Sequence, residues 1–217
     1  MNVQAAYSQW SEIYDTNTNP TRDLEGVVCR DMLAALPRFK HVLEMGCGTG
    51  KNTEWLAARS ARVTAVDLTQ AMLDVAAAKM ISSPHVAFVQ ADMLQTMPWS
   101  SFVSDAVDLV TFSLVLEHAE YLVPIFKSVD AVLEAGGRVY IGEFHPFKQY
   151  HGSKARFESK ETGHVEEVTA FTHHASDFVQ PALALGWTLE RMDERFDGDR
   201  CQVPRIIGFL FRKGQSS

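Results

Sequence analysis

The residues that could do chemistry in this chain begin with a glycine-rich loop. Gly46, Gly48 and Gly50 stand at alternate positions after an apolar run that ends near Glu44, and a second apolar run ends in Asp67. Glycine lets backbone amides approach a ligand because no Cβ intervenes. A carboxylate after the second strand of a βαβ unit can accept hydrogen bonds from both hydroxyls of a ribose. The spacing therefore predicts a strand–loop–helix unit that holds an adenosine-containing ligand.

The same spacing separates three classes of ligand. A phosphate loop for ATP or GTP requires G-x-x-x-x-G-K-[ST], but Met45 and Asn52 stand where its first glycine and its hydroxyl residue belong. A dinucleotide loop requires G-x-G-x-x-G, which is one residue longer than the loop at 46–50. S-adenosylmethionine (SAM) has no pyrophosphate to place on a helix N-terminus, and its positive groups suit the carboxylate of Glu44. The loop therefore favours SAM, and a nucleotide-dependent oxidoreductase is the alternative.

Four segments resemble the signatures of class I SAM-dependent methyltransferases. The first three are Val42-Leu43-Glu44-Met45-Gly46-Cys47-Gly48-Thr49-Gly50, Val66-Asp67 and Gln90-Ala91-Asp92-Met93. The fourth, Phe112-Ser113-Leu114-Val115-Leu116-Glu117-His118, resembles the end of strand four in the ubiquinone-biosynthesis-type and related small-molecule subgroup. The resemblance runs from about residue 7 to about residue 142. It implies methyl transfer from SAM to a small molecule, and the motifs do not define the acceptor atom.

The expected SAM contacts lie where the strands of this fold end. We expect Glu44 near the ammonium group of SAM, Asp67 at the ribose and Asp92 at the exocyclic amine of the adenine. In the subgroup that the chain resembles, residues of the N-terminal helices cover SAM, and Arg22 resembles one that would pair with the SAM carboxylate. The predicted SAM-binding residues are Tyr14, Arg22, Glu44, Gly46, Gly48, Asp67, Leu68, Met72, Asp92, Met93 and Ser113.

Two histidines are the predicted catalytic residues. His118 and His145 follow the fourth and fifth predicted strands. A histidine with an ordinary pKa can take the proton of a hydroxyl, thiol or protonated amine acceptor, and a structural role for either ring is the alternative. Five of the eight histidines fall within residues 145–174, but their spacing matches no metal-ligand signature. No metal site is therefore predicted.

The predicted fold class is α/β, because strand and helix patterns alternate through most of the chain. We expect a Rossmann-like, seven-stranded, mostly parallel sheet with an antiparallel last strand and helices on both faces. The chain 1–217 is expected to form a single SAM-dependent methyltransferase domain, with an N-terminal helical cap (1–38) and a substrate lid (145–173). Thr21 is predicted to cap the second helix, and the glycines of Ala135-Gly136-Gly137 are predicted to cap the helix before strand five.

Composition limits the partners of the protein. The chain has 217 residues and a net charge of −7, which argues against nucleic acid as a partner. Three widely spaced cysteines suggest no disulfide framework and favour the cytoplasm. We found no apolar leader and no run long enough to span a membrane. The expected protein is a cytoplasmic monomer or homodimer that acts on a small molecule, and a non-catalytic SAM-binding subunit is the second alternative.

Overall fold

The computed structural model of the protein describes most of the chain. The described residues are 3–11, 13–16, 18–95, 98–103, 105–153, 156–158, 165–198 and 202–215, with the backbone alone described at 156–158 and 165–167. Within these ranges the helices are α1 (Val3–Trp10), α2 (Pro20–Leu33), α3 (Lys51–Ala58), α4 (Gln70–Lys79), α5 (Val123–Val132), α6 (Pro146–Tyr150) and α7 (Ala175–Ala184). The strands are β1 (Phe39–Met45), β2 (Ser60–Asp67), β3 (Val86–Gln90), β4 (Val107–Ser113), β5 (Leu133–Phe144), β6 (Arg156–Glu158), β7 (Val165–Glu167), β8 (Thr188–Arg195) and β9 (Ile206–Arg212).

The main sheet confirms the predicted fold class. Its strand order is β3-β2-β1-β4-β5-β9-β8. Strands β1 to β5 pair in parallel, and β9 runs antiparallel to both β5 and β8. The order reverses between β1 and β4, which is where ligands bind in open sheets of this kind. Strands β6 and β7 form a separate antiparallel pair within the stretch predicted as a lid.

Helices cover both faces of this sheet because the strand side chains alternate in direction. In β1, Val42 packs with side chains of α2 and α3, whereas Leu43 packs on the opposite face with side chains of α5 and α7. Leu109 and Val110 of β4 divide in the same way. All four of these residues are fully buried. The two apolar layers fix the carboxyl ends of β1, β2 and β4 at one edge.

Two predicted helix caps were wrong. Asn19, not Thr21, caps α2, because its side chain accepts from the Arg22 amide while Pro20 occupies the first helical position, where a missing N–H costs nothing. Helix α5 ends at Val132 without a glycine cap, since the chain extends at Leu133 directly into β5. Gly136 instead has φ +77° inside that strand, beside an irregular register between β4 and β5.

Across the residues that the structure describes, no helix has both the length and the apolar composition that crossing a bilayer requires.

Candidate functional site

Two joined cavities lie at the carboxyl ends of the parallel strands. The larger has a volume of about 250 Å³, and the smaller, of about 50 Å³, shares Tyr14, Gly46, Gly48 and Ser113 with it. Each of the predicted SAM-binding residues lines one or both of them. The larger cavity is lined by Tyr14, Gly46, Gly48, Asp67, Leu68, Met72, Asp92, Met93, Ser113 and His118, among others. The smaller one adds Arg22 and Glu44.

The glycine loop requires glycine for two different reasons. Gly46 and Gly48 have φ of +72° and +53°, a region that side chains with a Cβ avoid. At Gly46 a Cβ would also lie 2.4 Å from Cγ2 of Val115, so this position has no room for a side chain. The Gly46 and Cys47 amides both donate to the Val66 carbonyl, at 2.8 and 3.0 Å. The loop is therefore held tightly against β2, with its backbone facing the cavities.

Asp67 organises the boundary between the glycine loop and α4. Its Oδ2 accepts from the Gly48 amide at 2.8 Å and its Oδ1 accepts from the Thr69 amide at 2.9 Å. Burial raises the pKa of Asp67, and the backbone hydrogen bonds oppose that shift. Each carboxylate oxygen keeps a further acceptor position. The side chain is thus fixed in place at the cavity with capacity for two ligand hydroxyls.

The part of the larger cavity around Met72 and Asp92 combines apolar and polar groups. Met72 is buried, and Leu68 and Met93 are half-buried beside it. Oδ1 of Asp92 accepts from the Leu94 amide at 2.9 Å. That contact is local, so it orients the carboxylate in the loop after β3. An acceptor beside apolar walls suits an aromatic base that carries an amino group.

Glu44 and Arg22 give the smaller cavity charges of both signs. Oε2 of Glu44 accepts from Thr53 Oγ1 at 2.6 Å. Burial raises the pKa of Glu44 to about 8. The Arg22 guanidinium donates to the Tyr14 carbonyl and lies over the Tyr14 ring, 4.7 Å from its centroid. A ligand with both an ammonium and a carboxylate matches such a cavity.

The turn after β4 is held in an unusual conformation. Among the described residues, Leu114 is the one residue other than glycine with a positive φ, +54°. Its amide donates to the Gly142 carbonyl at 2.8 Å. The next two amides, of Val115 and Leu116, both donate to Oε1 of Glu143 at 2.9 Å. A buried carboxyl group therefore shapes the wall of the cavity, and burial raises its pKa to about 8.

His118 lies at the edge of the larger cavity with both ring nitrogens engaged. Its Nδ1 lies 2.9 Å from the Thr169 carbonyl oxygen and its Nε2 lies 3.0 Å from the Tyr7 hydroxyl. A carbonyl can only accept, so Nδ1 carries the proton and Nε2 accepts from Tyr7. Burial lowers the pKa of His118. The ring is therefore a neutral acceptor, and Tyr7, which also lines the cavity, is its partner.

His145 lies outside both cavities. Its Nδ1 accepts from the Phe147 amide at 3.2 Å, which caps α6, and its Nε2 donates to Glu194 Oε1 at 3.0 Å. It is buried and lines neither of the two cavities. His118 and His145, which the sequence suggested as equivalent candidates, are thus in different environments.

The remaining histidines of residues 145–174 are dispersed. His173 contacts the Ala119 carbonyl at 2.8 Å and His174 contacts the Tyr150 hydroxyl at 2.8 Å. His151 is exposed, and His164 lies outside the described residues. In the described part of the chain no group of three or more potential ligands could hold a metal ion.

Sequence reasoning missed several residues that form the site. Tyr7, Glu25, Asn52 and Glu143 line the cavities or hold their walls. Each is a single polar residue within a helix or strand, and its partner is distant in sequence, such as the 115 positions between Glu25 and Tyr140. The sequence signal that could have found them is a polar residue on a helix or strand face that is otherwise apolar.

Comparison with known proteins connects the site to a family. Residues 43–141 match the methyltransferase domain family. Demethylmenaquinone methyltransferase of Clavibacter sepedonicus is 33% identical over 148 residues, which cover 65% of this chain and 58% of that protein. Ubiquinone biosynthesis O-methyltransferase of Xanthomonas axonopodis pv. citri is 26% identical over 155 residues, covering 70% of this chain and 61% of that protein. The chain thus spans less than two thirds of these two relatives.

Solved structures share the fold over nearly the whole chain. A complex of DhpI with S-adenosyl-L-homocysteine (SAH) superposes with a TM-score of 0.75, at 23% identity, over 97% of this chain and 95% of that one. The N-methyltransferase NodS of Bradyrhizobium japonicum, also in complex with SAH, gives a TM-score of 0.68 at 18% identity, covering 96% and 98% of the two chains.

Proposed function

We propose that this chain transfers a methyl group from SAM to a small-molecule acceptor, because residues 43–141 match the methyltransferase domain family and the chain shares its fold with the DhpI–SAH complex. The observation that carries the proposal is the convergence of the predicted SAM contacts, from Tyr14 to Ser113, on two joined cavities. A second feature supports the fit. Gly48 lines both cavities, and a Cβ added there would meet no atom of the described residues within 4 Å, so a ligand can approach the backbone closely at Gly48.

The chain supplies alignment and exclusion of water. SAM, when bound, provides a methyl group activated by its sulfonium, and no covalent enzyme intermediate is needed. Asp67 holds the ribose, Asp92 the adenine amine, and Glu44 and Arg22 the two charged ends of the methionine part. Tyr7 and Tyr14, which also line the cavity, cover the bound donor. Correct placement of donor and acceptor is itself a large part of the rate enhancement.

We assign removal of the acceptor proton to His118, acting through Tyr7. The acceptor donates its proton to the Tyr7 oxygen while the Tyr7 proton moves to Nε2 of His118. Nδ1 of His118 keeps its proton and donates it in a hydrogen bond to the Thr169 carbonyl, 2.9 Å away, which stabilises the imidazolium that forms. His145 receives no catalytic role in this proposal, because both its nitrogens serve contacts outside the cavities.

The segment 145–173 is proposed as the element that selects the acceptor, and 1–38 as the cap over SAM, within one domain of 217 residues. Thr169 and Val168 support this division, since they contact His118 and the side chains of α1. The net charge of −7 favours a small molecule over nucleic acid as acceptor. We place the protein in the cytoplasm, as a monomer or homodimer.

The test combines binding with a methyl-transfer screen. Calorimetric titration of the purified chain with SAH and with NADH should show saturable uptake of SAH alone. Incubation with methyl-labelled SAM and a panel of phenols, thiols, amines and quinone precursors should then label at least one class. Tight NADH binding without SAH binding would establish an oxidoreductase instead. SAH binding with no labelled product from any class would leave the non-catalytic subunit as the better description.

A further inference from the structure

A second buried carboxyl group lies beside Glu44 in the smaller cavity. Glu25, from α2, lines that cavity together with Glu44, Arg22 and Lys51. Only 2% of its surface is exposed, and acidic side chains are rarely buried so completely without a cation. No salt bridge joins Glu25 or Glu44 to a lysine or arginine anywhere in the described ranges, and Lys51 pairs with Asp23 instead. Within those ranges, the cavity thus holds two acidic groups that lack a salt-bridge partner.

Glu25 is held in one orientation by groups from three elements. Its Oε1 accepts from the Tyr140 hydroxyl of β5 and its Oε2 accepts from Nδ2 of Asn52 of α3, each at 2.9 Å. The Asn52 amide also lies 3.2 Å from Ser113 Oγ. Gly142 leaves the space for this arrangement, since a Cβ there would lie 2.6 Å from Glu25 Oε1 and 2.3 Å from the Tyr140 oxygen. Such fixed placement is expected of a group that recognises a ligand.

Glu44 has free capacity for the same ligand. One of its oxygens accepts from Thr53, and the other has no hydrogen-bond donor within the residues described. Burial raises the pKa of both Glu25 and Glu44, so each carboxyl group gains from a nearby positive charge. The ammonium of an α-amino acid supplies such a charge, with three donors. Arg22 and Lys51, in the same cavity, supply the opposite charge for its carboxylate.

We propose that Glu25 is a second acidic ligand of the SAM ammonium group, acting jointly with Glu44 to make the smaller cavity a receptor for an α-amino-acid end. The inference rests on the proposed function, because it assumes that SAM occupies the joined cavities. Tyr140 and Asn52 are positioning residues that aim Glu25. The chain should therefore discriminate strongly between adenosyl ligands that carry the amino group and those that lack it.

The experiment compares three ligands on the whole chain by calorimetry. They are SAH, the analogue of SAH with hydrogen in place of the α-amino group, and methylthioadenosine, which lacks the whole amino-acid end. Glu25→Gln should weaken SAH about 10- to 100-fold, as expected for loss of a charged hydrogen bond. It should change the affinities of the other two ligands by less than about threefold. Glu54→Gln, which removes the same charge from an exposed position of α3, should leave all three affinities unchanged.

Tyr140→Phe tests the positioning role. It should weaken SAH by a smaller factor, about three- to tenfold for one lost hydrogen bond, and should spare the deaminated analogue. Thermal denaturation of each variant identifies a merely structural effect. If Glu25→Gln lowers the melting temperature and weakens all three ligands alike, or leaves SAH binding intact, the inference is wrong. If the native chain does not bind SAH at all, the proposed function itself has failed, so the two failures are distinct.

Discussion

The two sides of the candidate site are built in different ways. On the donor side, Asp67 contacts the amides of Gly48 and Thr69, which lie 19 and 2 positions away. On the acceptor side, His118 contacts Tyr7 and Thr169, which lie 111 and 51 positions away. Local sequence thus dictates the ribose end of the donor side, whereas the acceptor side exists only when the N-terminal cap and the segment after β5 close on the sheet. Changes on the two sides should therefore affect different steps.

The largest effect should follow from Gly46→Ala on the donor side. The new Cβ would lie 2.4 Å from Val115 and would keep an unfavourable φ of +72°. We expect SAH affinity to fall at least about 100-fold and the free energy of unfolding to fall by about 1–3 kcal/mol from strain alone. Calorimetry and thermal denaturation measure the two effects.

Gly152→Ala is the matched control for that change. Gly152 has φ +84°, and a Cβ added there would meet nothing within 4 Å. The residue also lies outside both cavities. The variant should lose stability through backbone strain while SAH affinity stays constant. Equal loss of affinity in the two variants would mean that Gly46 serves the fold and not the ligand.

The next effect should separate Asp67 from His145. Asp67→Ala removes the acceptor for the ribose hydroxyls and releases the Gly48 and Thr69 amides. SAH affinity should fall about 50-fold, because water partly replaces the two lost charged hydrogen bonds. His145→Ala should change that affinity by less than about threefold, because its contacts lie at α6 and β8 and distant sites behave independently. Calorimetric titration that gave the reverse order would contradict our placement of the ribose.

On the acceptor side, Tyr7→Phe should lower kcat and leave SAH binding almost unchanged. It removes the hydroxyl that links the cavity to His118, and general-base catalysis commonly contributes a factor of 10²–10⁴. We expect a loss of about 10- to 50-fold, since water can replace the hydroxyl in part. His118→Gln should lower kcat further, and the double variant should be no worse than His118→Gln alone, because groups that act as a unit are not additive.

The chain offers a second tyrosine–histidine pair as a control for this prediction. Tyr150 lies 2.8 Å from Nε2 of His174, outside the two cavities. Because Tyr150 lies in the segment proposed to select the acceptor, Tyr150→Phe should leave SAH affinity unchanged and act on the KM for the acceptor, with little change in kcat. If Tyr7→Phe weakens SAH binding as strongly as it lowers kcat, Tyr7 belongs to the donor side and the proton path is wrong.

The same contrast explains what the sequence could predict. The bounds of β4 (Val107–Ser113) follow from the sequence, because this buried parallel strand is a nearly continuous apolar run that needs no knowledge of its neighbours. The placement of Asp67 beside the glycine loop follows from one βαβ unit. Tyr7, Glu25 and Glu143 could not be found in this way, since each gains its partner only through packing of distant elements. Strands β6 and β7 lie in a polar stretch without an alternating pattern.

Helix caps show a second limit of sequence reasoning. Asn19 and Thr21 are both good capping residues. In the structure Pro20 occupies the first helical position, so the residue before it, Asn19, is the cap. The sequence alone does not show where the helix begins. The glycines at 136 and 137 resemble a helix end, yet β4 pairs with Leu133 before them. At the glycines, pairing with β4 selected one of two locally acceptable structures.

The smallest effect concerns a feature that both sides share, a buried carboxyl group with a raised pKa. Burial raises the pKa of Glu44 on the donor side and of Glu143 on the acceptor side to about 8, against 4.5 for a glutamate in the unfolded chain. Between these values the folded state retains protons that the unfolded state has released. The stability that these protons contribute is therefore lost as pH rises through the folded pKa.

We expect the melting temperature of the ligand-free chain to fall between about pH 7 and pH 8. The free energy of unfolding falls by at most about 1.4 kcal/mol per pH unit for each group. In a chain of this size, a loss of 1 kcal/mol lowers the melting temperature by about 2–4 °C. Burial lowers the pKa of His41 and His118 below the 6.5 of a histidine in the unfolded chain, so neither ring is predominantly charged in either state within this window. Glu44→Gln should give a shallower slope, and saturating SAH should flatten the native slope because its ammonium favours ionised Glu44. An unchanged slope in Glu44→Gln would show that Glu44 does not titrate in this pH range. If SAH flattened the slope of Glu44→Gln as much as that of the native chain, the proton linked to SAH binding would belong to another group.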